Sequence, residues 1–271
     1  MARSVFYISD GTGITAETLG HTLLTQFPDI TFHAVNLPFV NTTEKIEKAI
    51  QRINRSAHRE GLVPLVFSTL TNPALRKRLA ACRGTVFDFF ATFTQPMEEV
   101  LGMTSSPVMG QSHGMGNLTV YTERIDALHY TLQSDDGSTL SDYSRADIVI
   151  TGVSRTGKTP TCLYLALHFG IQAANYPLTD DDFDNNALPE RLQTAREKLF
   201  GLTIAAERLY QIRQERRPNS LYASMKQIRR ELRSAENLFR REKIPYLNIT
   251  HMSVEEIAAS VMQKVSLRRK M

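Results

Sequence analysis

The sequence has 271 residues, of which 42% are hydrophobic and 22% are charged, and its formal net charge is +4. This composition is typical of a globular protein with a substantial core, and the length suits one large domain or two ordinary ones. The charge is too small to indicate nucleic acid by itself, and we expect no nucleic-acid partner.

The two cysteines, Cys82 and Cys162, lie far apart in the sequence and form no metal-ligand spacing, which favours a reducing compartment. The apolar run Val5–Ile8 is too short for a signal peptide. No stretch approaches the ~20 apolar residues that a membrane span needs. We therefore predict a cytoplasmic protein that does not associate with membranes.

Residues 1–105 predict a first domain, because short apolar strands alternate with amphipathic helices. The predicted strands are 5–8, 32–37, 65–70 and 85–89, and the predicted helices between them are 14–26, 44–59 and 73–81. Such alternation indicates a parallel sheet that is covered on both faces. Thr42 or Thr43 can cap the second helix.

The first predicted strand runs into the small-residue loop Ser9–Gly13. Its glycines are too few for a dinucleotide fingerprint. One interpretation is a tight turn in which Thr12 or Thr15 caps the following helix. The other is an anion-binding nest with Asp10 beside it.

Glycine, serine and proline dominate residues 102–117, which indicates a domain boundary. We assign 106–120 to a linker or mobile loop and 121–271 to a second domain. His113, in the middle of this stretch, is either a linker residue or a site residue.

A helical pattern over 121–132 is followed by Asp135, Asp136 and Gly137. Two carboxylates before a glycine usually form a turn. These two stand shortly before the motif described next, so they are also candidates for a place near its ligand.

The motif G-x-x-x-x-G-K-[ST] spans Gly152–Thr159, between a predicted strand at 146–150 and a predicted helix at 161–169. This context is the one a phosphate-binding P-loop requires, with a positive helix end behind the loop. Lys158 supplies a charge for the phosphates, and the hydroxyl of Thr159 can ligate Mg²⁺. The predicted nucleotide-binding residues are Gly152, Val153, Ser154, Arg155, Thr156, Gly157, Lys158 and Thr159.

After this motif the α/β alternation continues. Strands are predicted at 171–176, 199–204 and 244–249, and helices at 205–216, 220–243 and from Ser253 onward. Thr179–Asp182 is either a solvated acidic loop or part of a ligand site at the carboxyl end of its strand. Arg208, Arg213, Arg216 and Arg217 cluster on or after the 205–216 helix. The basic helix 220–243 presents either a solvated face or a footprint for acidic partners.

Several segments together resemble the bacterial phosphoenolpyruvate synthase regulatory proteins, whose wider family includes the pyruvate, phosphate dikinase regulatory proteins. These segments are Gly152–Thr161, Ala173–Leu178, Phe6–Thr12, Asp135–Gly137, Phe200–Ile204 and Ser253–Ala258. The resemblance runs the length of the chain, and the ending Arg-Arg-Lys-Met is closer to the synthase branch.

The resemblance implies a bifunctional enzyme with an N-terminal α/β domain and a C-terminal P-loop kinase-like α/β domain. Such a protein phosphorylates a threonine of phosphoenolpyruvate synthase with ADP as donor, which inactivates that enzyme. It also removes this phosphate from the threonine by transferring it to orthophosphate, and the product released is pyrophosphate. The implied ligands are ADP, orthophosphate and Mg²⁺, and the family's nucleotide-binding motif falls on Gly152–Thr159. The oligomeric state stays open, with a homodimer as one possibility.

The general base is not identified by the motifs. A carboxylate near the attacking hydroxyl is the simplest proton acceptor, and we favour the pair Asp135 and Asp136. The other candidates are Asp10, Asp180, Asp181 and Asp182.

Three alternatives stand beside the regulatory kinase. They are a P-loop kinase of small molecules or an NTPase, a nucleotide-sensing module without chemistry, and the same regulation directed at pyruvate, phosphate dikinase. The H-R-D and D-F-G signatures of the common eukaryotic protein kinases are absent from the sequence.

Overall fold

The computed structural model describes residues 2–106, 118–135, 143–184 and 187–267. Contacts divide the chain into two compact units, Met1–Gly116 and Asn117–Met271, which we call unit 1 and unit 2. His113, Asp136 and most of the predicted linker at 106–120 lie outside the described residues.

Unit 1 is built on a parallel sheet in the strand order β2-β1-β3-β4. Its strands are β1 (Ala2–Ser9), β2 (Thr31–Leu37), β3 (Leu65–Thr69) and β4 (Thr85–Asp88), and its helices are α1 (Ile14–Leu24), α2 (Thr43–Glu60), α3 (Pro73–Leu79) and α4 (Phe89–Leu101). The alternation predicted for this part of the chain is confirmed. Helix α4 was not predicted, and it begins where the Asp88 side chain accepts a hydrogen bond from the Ala91 amide.

The core of unit 1 follows the two-residue period of strand β1. Val5 and Tyr7 pack in the cluster that includes α1, whereas Phe6 and Ile8 pack in the cluster that includes α2 and α3. All four side chains are buried, because successive residues of a covered strand face opposite helix layers.

Helix α2 is fixed at both ends by side-chain hydrogen bonds. At its start the Thr42 hydroxyl accepts from the Lys45 amide, as the sequence predicts. Near its end the Glu60 carboxylate accepts from the Ser4 amide at 3.0 Å, from the Ser4 hydroxyl at 2.7 Å and from the Ser56 hydroxyl at 2.8 Å. The second group of bonds ties the first strand of the sheet to this helix.

Unit 2 is built on a second parallel sheet, in the order β6-β5-β7-β8. Its elements are α5 (Leu118–Gln133), β5 (Ile148–Gly152), α6 (Lys158–Phe169), β6 (Ala173–Pro177), α7 (Asp180–Asp184), α8 (Glu190–Gln193), β7 (Leu199–Thr203), α9 (Ala206–Arg216), α10 (Met225–Glu242), β8 (Tyr246–Asn248) and α11 (Val254–Lys264). Strand β5 is buried along its whole length, and α5 and α11 pack against α6. The loop at Gly152–Thr159 therefore begins at the end of a fully buried strand.

Two helices of unit 2 begin at serine residues that cap them. The helix predicted over 220–243 begins only at Met225, because the Ser224 hydroxyl accepts from the Gln227 amide and caps it there. Helix α11 begins with a full capping box, in which Ser253 and Glu256 each accept from the other's backbone amide. None of the helices within the described ranges is both long and apolar enough to cross a bilayer.

Candidate functional site

The loop from Gly152 to Thr159 connects the end of β5 to the start of α6. Gly152 has a φ of 153°, and a Cβ atom at this position would lie 2.4 Å from the carbonyl oxygen of Leu202 in β7. Gly157 has a φ of 68° and forms the N-cap of α6 without a side-chain cap. Both positions require glycine, because a side chain would collide with backbone at the first and be strained at the second.

The interior of the loop is held by its own side chains. The hydroxyl of Thr156, which is fully buried, donates to the carbonyl oxygen of Val153 at 2.9 Å. Lys158 as a whole is only 5% exposed, and its ammonium group donates to the same oxygen at 2.9 Å. Arg155 adopts a φ of 75° and its side chain is exposed. Left-handed residues in a tight loop make concave backbone nests, and a helix N-terminus beside them attracts anions.

Three polar side chains meet at the first turn of α6. The Thr159 hydroxyl donates to the Asp135 carboxylate at 2.9 Å. The side-chain amide of Asn175 donates to the same carboxylate oxygen at 2.6 Å and to the Thr159 hydroxyl at 3.0 Å. Of the acidic pair favoured from the sequence, Asp135 therefore lies at the loop, while Asp136 is outside the described residues.

Asn175 was not singled out from the sequence. It is 1% exposed and lies in the middle of β6. An amide among the apolar residues of a buried strand is the signal that could have identified it, because such a group needs hydrogen-bond partners.

Two of the acidic residues after β6 are engaged with other partners. Asp182 accepts from the Tyr176 hydroxyl at 2.9 Å and from the backbone and side chain of Thr179. Asp180 accepts from Arg230 at 2.9 Å and from Gln227 at 3.0 Å. These partners of Asp180 and Asp182 thus all lie outside the Gly152–Thr159 loop, and Asp181 is exposed at the surface.

The loop at Ser9–Gly13 belongs to unit 1. The Asp10 carboxylate accepts from both the amide and the hydroxyl of Thr71, and the Ser9 hydroxyl accepts from the Gly11 amide. These bonds hold the turn and tie it to Thr71, which follows β3. The N-cap of α1 is Gly13, so neither Thr12 nor Thr15 is the capping residue.

Unit 1 also contains a cavity of about 530 Å³ beside α4. Its walls include Phe89, Phe90, Phe93, Met97 and Leu101, and they are almost entirely apolar. No residue predicted for nucleotide binding or catalysis contributes to it.

Two groups near the loop are held in their neutral forms. Burial raises the pKa of the Cys162 thiol, and the charge of Asp135 raises it further. Burial, followed by the hydrogen bond to Asp182, raises the pKa of Tyr176. Neither group is therefore a nucleophile at neutral pH.

Oxygen ligands for a divalent ion are available at the loop, although the described residues contain no cluster of three or more His, Cys, Asp or Glu side chains that could hold a metal ion. Mg²⁺ bound with a nucleotide takes one or two protein oxygens and completes its shell with phosphate and water. The Thr159 hydroxyl and the Asp135 carboxylate, 2.9 Å apart, fit this requirement.

The chain is similar to known proteins over nearly its whole length. A family model described as kinase/pyrophosphorylase matches residues 5–262. Relatives from Pseudomonas fluorescens (strain Pf0-1), Hahella chejuensis and Alkalilimnicola ehrlichii are 49%, 49% and 51% identical over 270, 269 and 269 residues. These alignments cover 100%, 99% and 99% of this chain and 99%, 99% and 98% of the relatives. All three relatives are named as phosphoenolpyruvate synthase regulatory proteins.

Proposed function

The chain belongs to the kinase/pyrophosphorylase family of phosphoenolpyruvate synthase regulatory proteins, and from this premise we propose that it is an ADP-dependent serine/threonine kinase and a phosphate-dependent phosphotransferase. Its protein substrate is phosphoenolpyruvate synthase, the enzyme that the names of its relatives specify. In the forward reaction a target threonine attacks the β-phosphorus of ADP, and AMP leaves. In the reverse reaction orthophosphate attacks the phosphothreonine, and pyrophosphate and free threonine are released.

The observation that carries this proposal is the loop between β5 and α6. Two glycines in conformations that other residues avoid, a left-handed Arg155 and the N-terminus of α6 form a cradle suited to a diphosphate. ADP and pyrophosphate share a diphosphate, so one cradle can serve both directions of the reaction.

Lys158 supplies the fixed positive charge of the cradle. Negative charge spreads over the non-bridging oxygens during phosphoryl transfer, and a cation held beside them lowers the barrier. In the structure its ammonium group donates to the Val153 carbonyl within the loop. On binding a phosphate, the ammonium group would exchange this bond for one to a phosphate oxygen.

Thr159 and Asp135 would hold Mg²⁺ when the nucleotide is bound. The ion neutralises charge on the phosphate oxygens and orients them. Asn175 donates to both side chains and so fixes their relative position.

Asp135 is also our proposed acceptor for the threonine proton, with Asp136 as the second member of the pair. The contact with Thr159 supports a place for Asp135 in the reaction. Its two roles make different predictions: loss of a metal ligand is relieved by raising the Mg²⁺ concentration, whereas loss of a base changes the pH–rate profile.

A single transfer site gives the two reactions a simple relation. In-line transfer aligns the attacking atom, phosphorus and the leaving group. If the target threonine occupies one position in both directions, orthophosphate must take the place of the α-phosphate of ADP. ADP and orthophosphate would then compete. The rival is a separate orthophosphate site at Ser9–Gly13, where the Ser9 hydroxyl accepts from the Gly11 amide and the Asp10 carboxylate accepts from Thr71.

The proposal is tested by incubating the protein with purified phosphoenolpyruvate synthase and ADP labelled in its β-phosphate. Label on the synthase together with release of AMP supports it, and subsequent addition of orthophosphate should release labelled pyrophosphate. Label on a metabolite or in free phosphate would instead indicate a small-molecule kinase or an NTPase. Label on pyruvate, phosphate dikinase but not on the synthase would redirect the same activity, and ADP binding with no transfer would indicate a sensing module.

A further inference from the structure

A buried arginine contacts the phosphate-binding loop from the side of α9. The Arg213 side chain is fully buried, and its Nη2 atom donates to the Ser154 carbonyl oxygen at 3.1 Å. The same atom donates to Glu231 at 2.6 Å, and Nη1 donates to the Tyr222 carbonyl oxygen at 3.0 Å. Its guanidinium carbon also lies 4.2 Å from the centre of the Tyr222 ring.

Stability alone is a poor explanation for this arrangement. Removing a charge from water is expensive, and a buried ion pair often stabilises a fold no better than apolar residues of the same volume. Arg213 has one carboxylate partner, Glu231, and its Nε atom has no hydrogen-bond partner among the described residues. The hydrogen bond to the Ser154 carbonyl is the contact that links the buried guanidinium of Arg213 to the loop that we propose to bind the diphosphate.

The contact with Ser154 constrains a peptide whose amide belongs to Arg155. In a trans peptide the C=O and N–H bonds point in opposite directions. Holding the Ser154 carbonyl toward Arg213 therefore turns the Arg155 amide away from it, at a residue whose φ is already 75°. This peptide orientation is the one a concave nest of amides needs.

Tyr222 holds the same loop residue through its side chain. The hydroxyl groups of Tyr222 and Ser154 lie 3.0 Å apart and share a hydrogen bond. Ser154 is thus held at its carbonyl by Arg213 and at its hydroxyl by Tyr222, while Tyr222 is itself packed against the guanidinium.

We propose that Arg213 is a positioning residue for diphosphate binding: together with Tyr222 it fixes the peptide between Ser154 and Arg155, so that the Arg155 amide faces the phosphates. The inference rests on the proposed function, in that it takes the Gly152–Thr159 loop to bind the diphosphate of ADP or pyrophosphate.

The test measures the dissociation constants of ADP and of pyrophosphate in the full-length protein and in two variants. Arg213→Lys keeps the charge but removes the forked geometry, and it should raise both constants by the same factor, about tenfold or more. Tyr222→Phe keeps the ring beneath Arg213 and removes one hydrogen bond, so it should raise both constants about three- to tenfold. Its urea unfolding midpoint should stay close to that of the parent protein, because the ring and its packing are kept and a single hydrogen bond is lost.

Matched controls make the same chemical changes away from the loop. Arg196→Lys alters an arginine of unit 2 that pairs with Glu242 at 2.8 Å and is 54% exposed. Tyr210→Phe removes a hydroxyl from an exposed tyrosine of α9. Both should bind ADP and pyrophosphate as the parent does.

The outcomes separate this inference from the function on which it rests. If the parent binds both ligands and Tyr222→Phe binds them equally well, the positioning role is refuted even if Arg213→Lys does not fold. A folded Arg213→Lys protein with parental affinities refutes it as well. A parent that binds neither ADP nor pyrophosphate contradicts the proposed function itself.

Discussion

Replacing Gly152 by alanine should damage phosphoryl transfer in both directions. The added Cβ atom would lie 2.4 Å from the Leu202 carbonyl oxygen and 3.0 Å from the Thr156 hydroxyl oxygen, at a φ of 153°. Contacts of a Cβ atom below 3.0 Å essentially do not occur, so the backbone of the loop or the end of β7 must shift by at least ~0.6 Å.

The expected loss of catalytic rate follows from the size of this shift. A misplacement of about 1 Å at a reacting group costs roughly a hundredfold in rate. For a displacement somewhat smaller than this we expect kcat to fall roughly ten- to a hundredfold, for the kinase and the phosphorolysis reaction alike. The strained backbone should also lower the free energy of unfolding by about 1 to 3 kcal/mol.

The assay compares both rates in the parent, in Gly152→Ala and in Gly61→Ala, each checked for folding by circular dichroism. Gly61 also has a positive φ, 65°, but a Cβ atom there meets nothing within 4 Å. Gly61→Ala should therefore lose about 1 kcal/mol of stability and keep parental rates. Our account of the loop is wrong if a folded Gly152→Ala enzyme also retains parental rates in both directions.

Three further changes test other parts of the molecule. Lys158→Met should reduce the kinase and phosphorolysis rates about a hundredfold or more, and intact phosphorolysis in a variant without kinase activity would argue for a second orthophosphate site. Asp135→Asn should fold normally and lose about a hundredfold in kcat; recovery at high Mg²⁺ would assign it to the metal, and parental activity would place the reactive carboxylate elsewhere. The hydrogen bond from Ser4 is the main cause that lowers the pKa of Glu60 from 4.5 to about 2, so its stabilising effect is present above pH 4.5 and is lost as the pH falls toward 2. Glu60→Gln should therefore lower the free energy of unfolding by about 1 to 2 kcal/mol at pH 7, and urea titrations should show this difference vanishing near pH 2; a difference independent of pH would contradict the assignment.

Most helices and strands could be predicted from the sequence because their signals are local. The alternation of short apolar strands with amphipathic helices gave the parallel arrangement of both units. Caps such as Thr42 and Ser253 act on amides three residues away, so they are readable without a fold. Helix α4 was missed although Phe89, Phe93, Met97 and Leu101 recur at helical spacing, because Pro96 stands inside this pattern and a proline usually ends a helix.

In the candidate site, too, some residues could be identified from the sequence and others could not. The loop at Gly152–Thr159 could be identified from its residue types and spacing, because the residues that define it lie next to one another in the chain. Which acidic residue joins it could not be identified, because Asp135 precedes Thr159 by 24 residues and reaches it only through the packing of α5 against α6. Asn175 joins them from the neighbouring strand β6, which only the strand order brings alongside β5.

The sequence by itself determined the strand–loop–helix unit and the charge and hydroxyl at its end, since these depend on contacts between residues close in the chain. Only the tertiary structure decided the surroundings of Arg213, which stands in a run of arginines that resembles a solvated surface. Its place four residues after the buried Leu209 turns it inward, whereas Arg208, Arg216 and Arg217 are exposed. The helical period determines which side chains share a face, but the packing of α9 decides which face is buried and what the buried charge meets there.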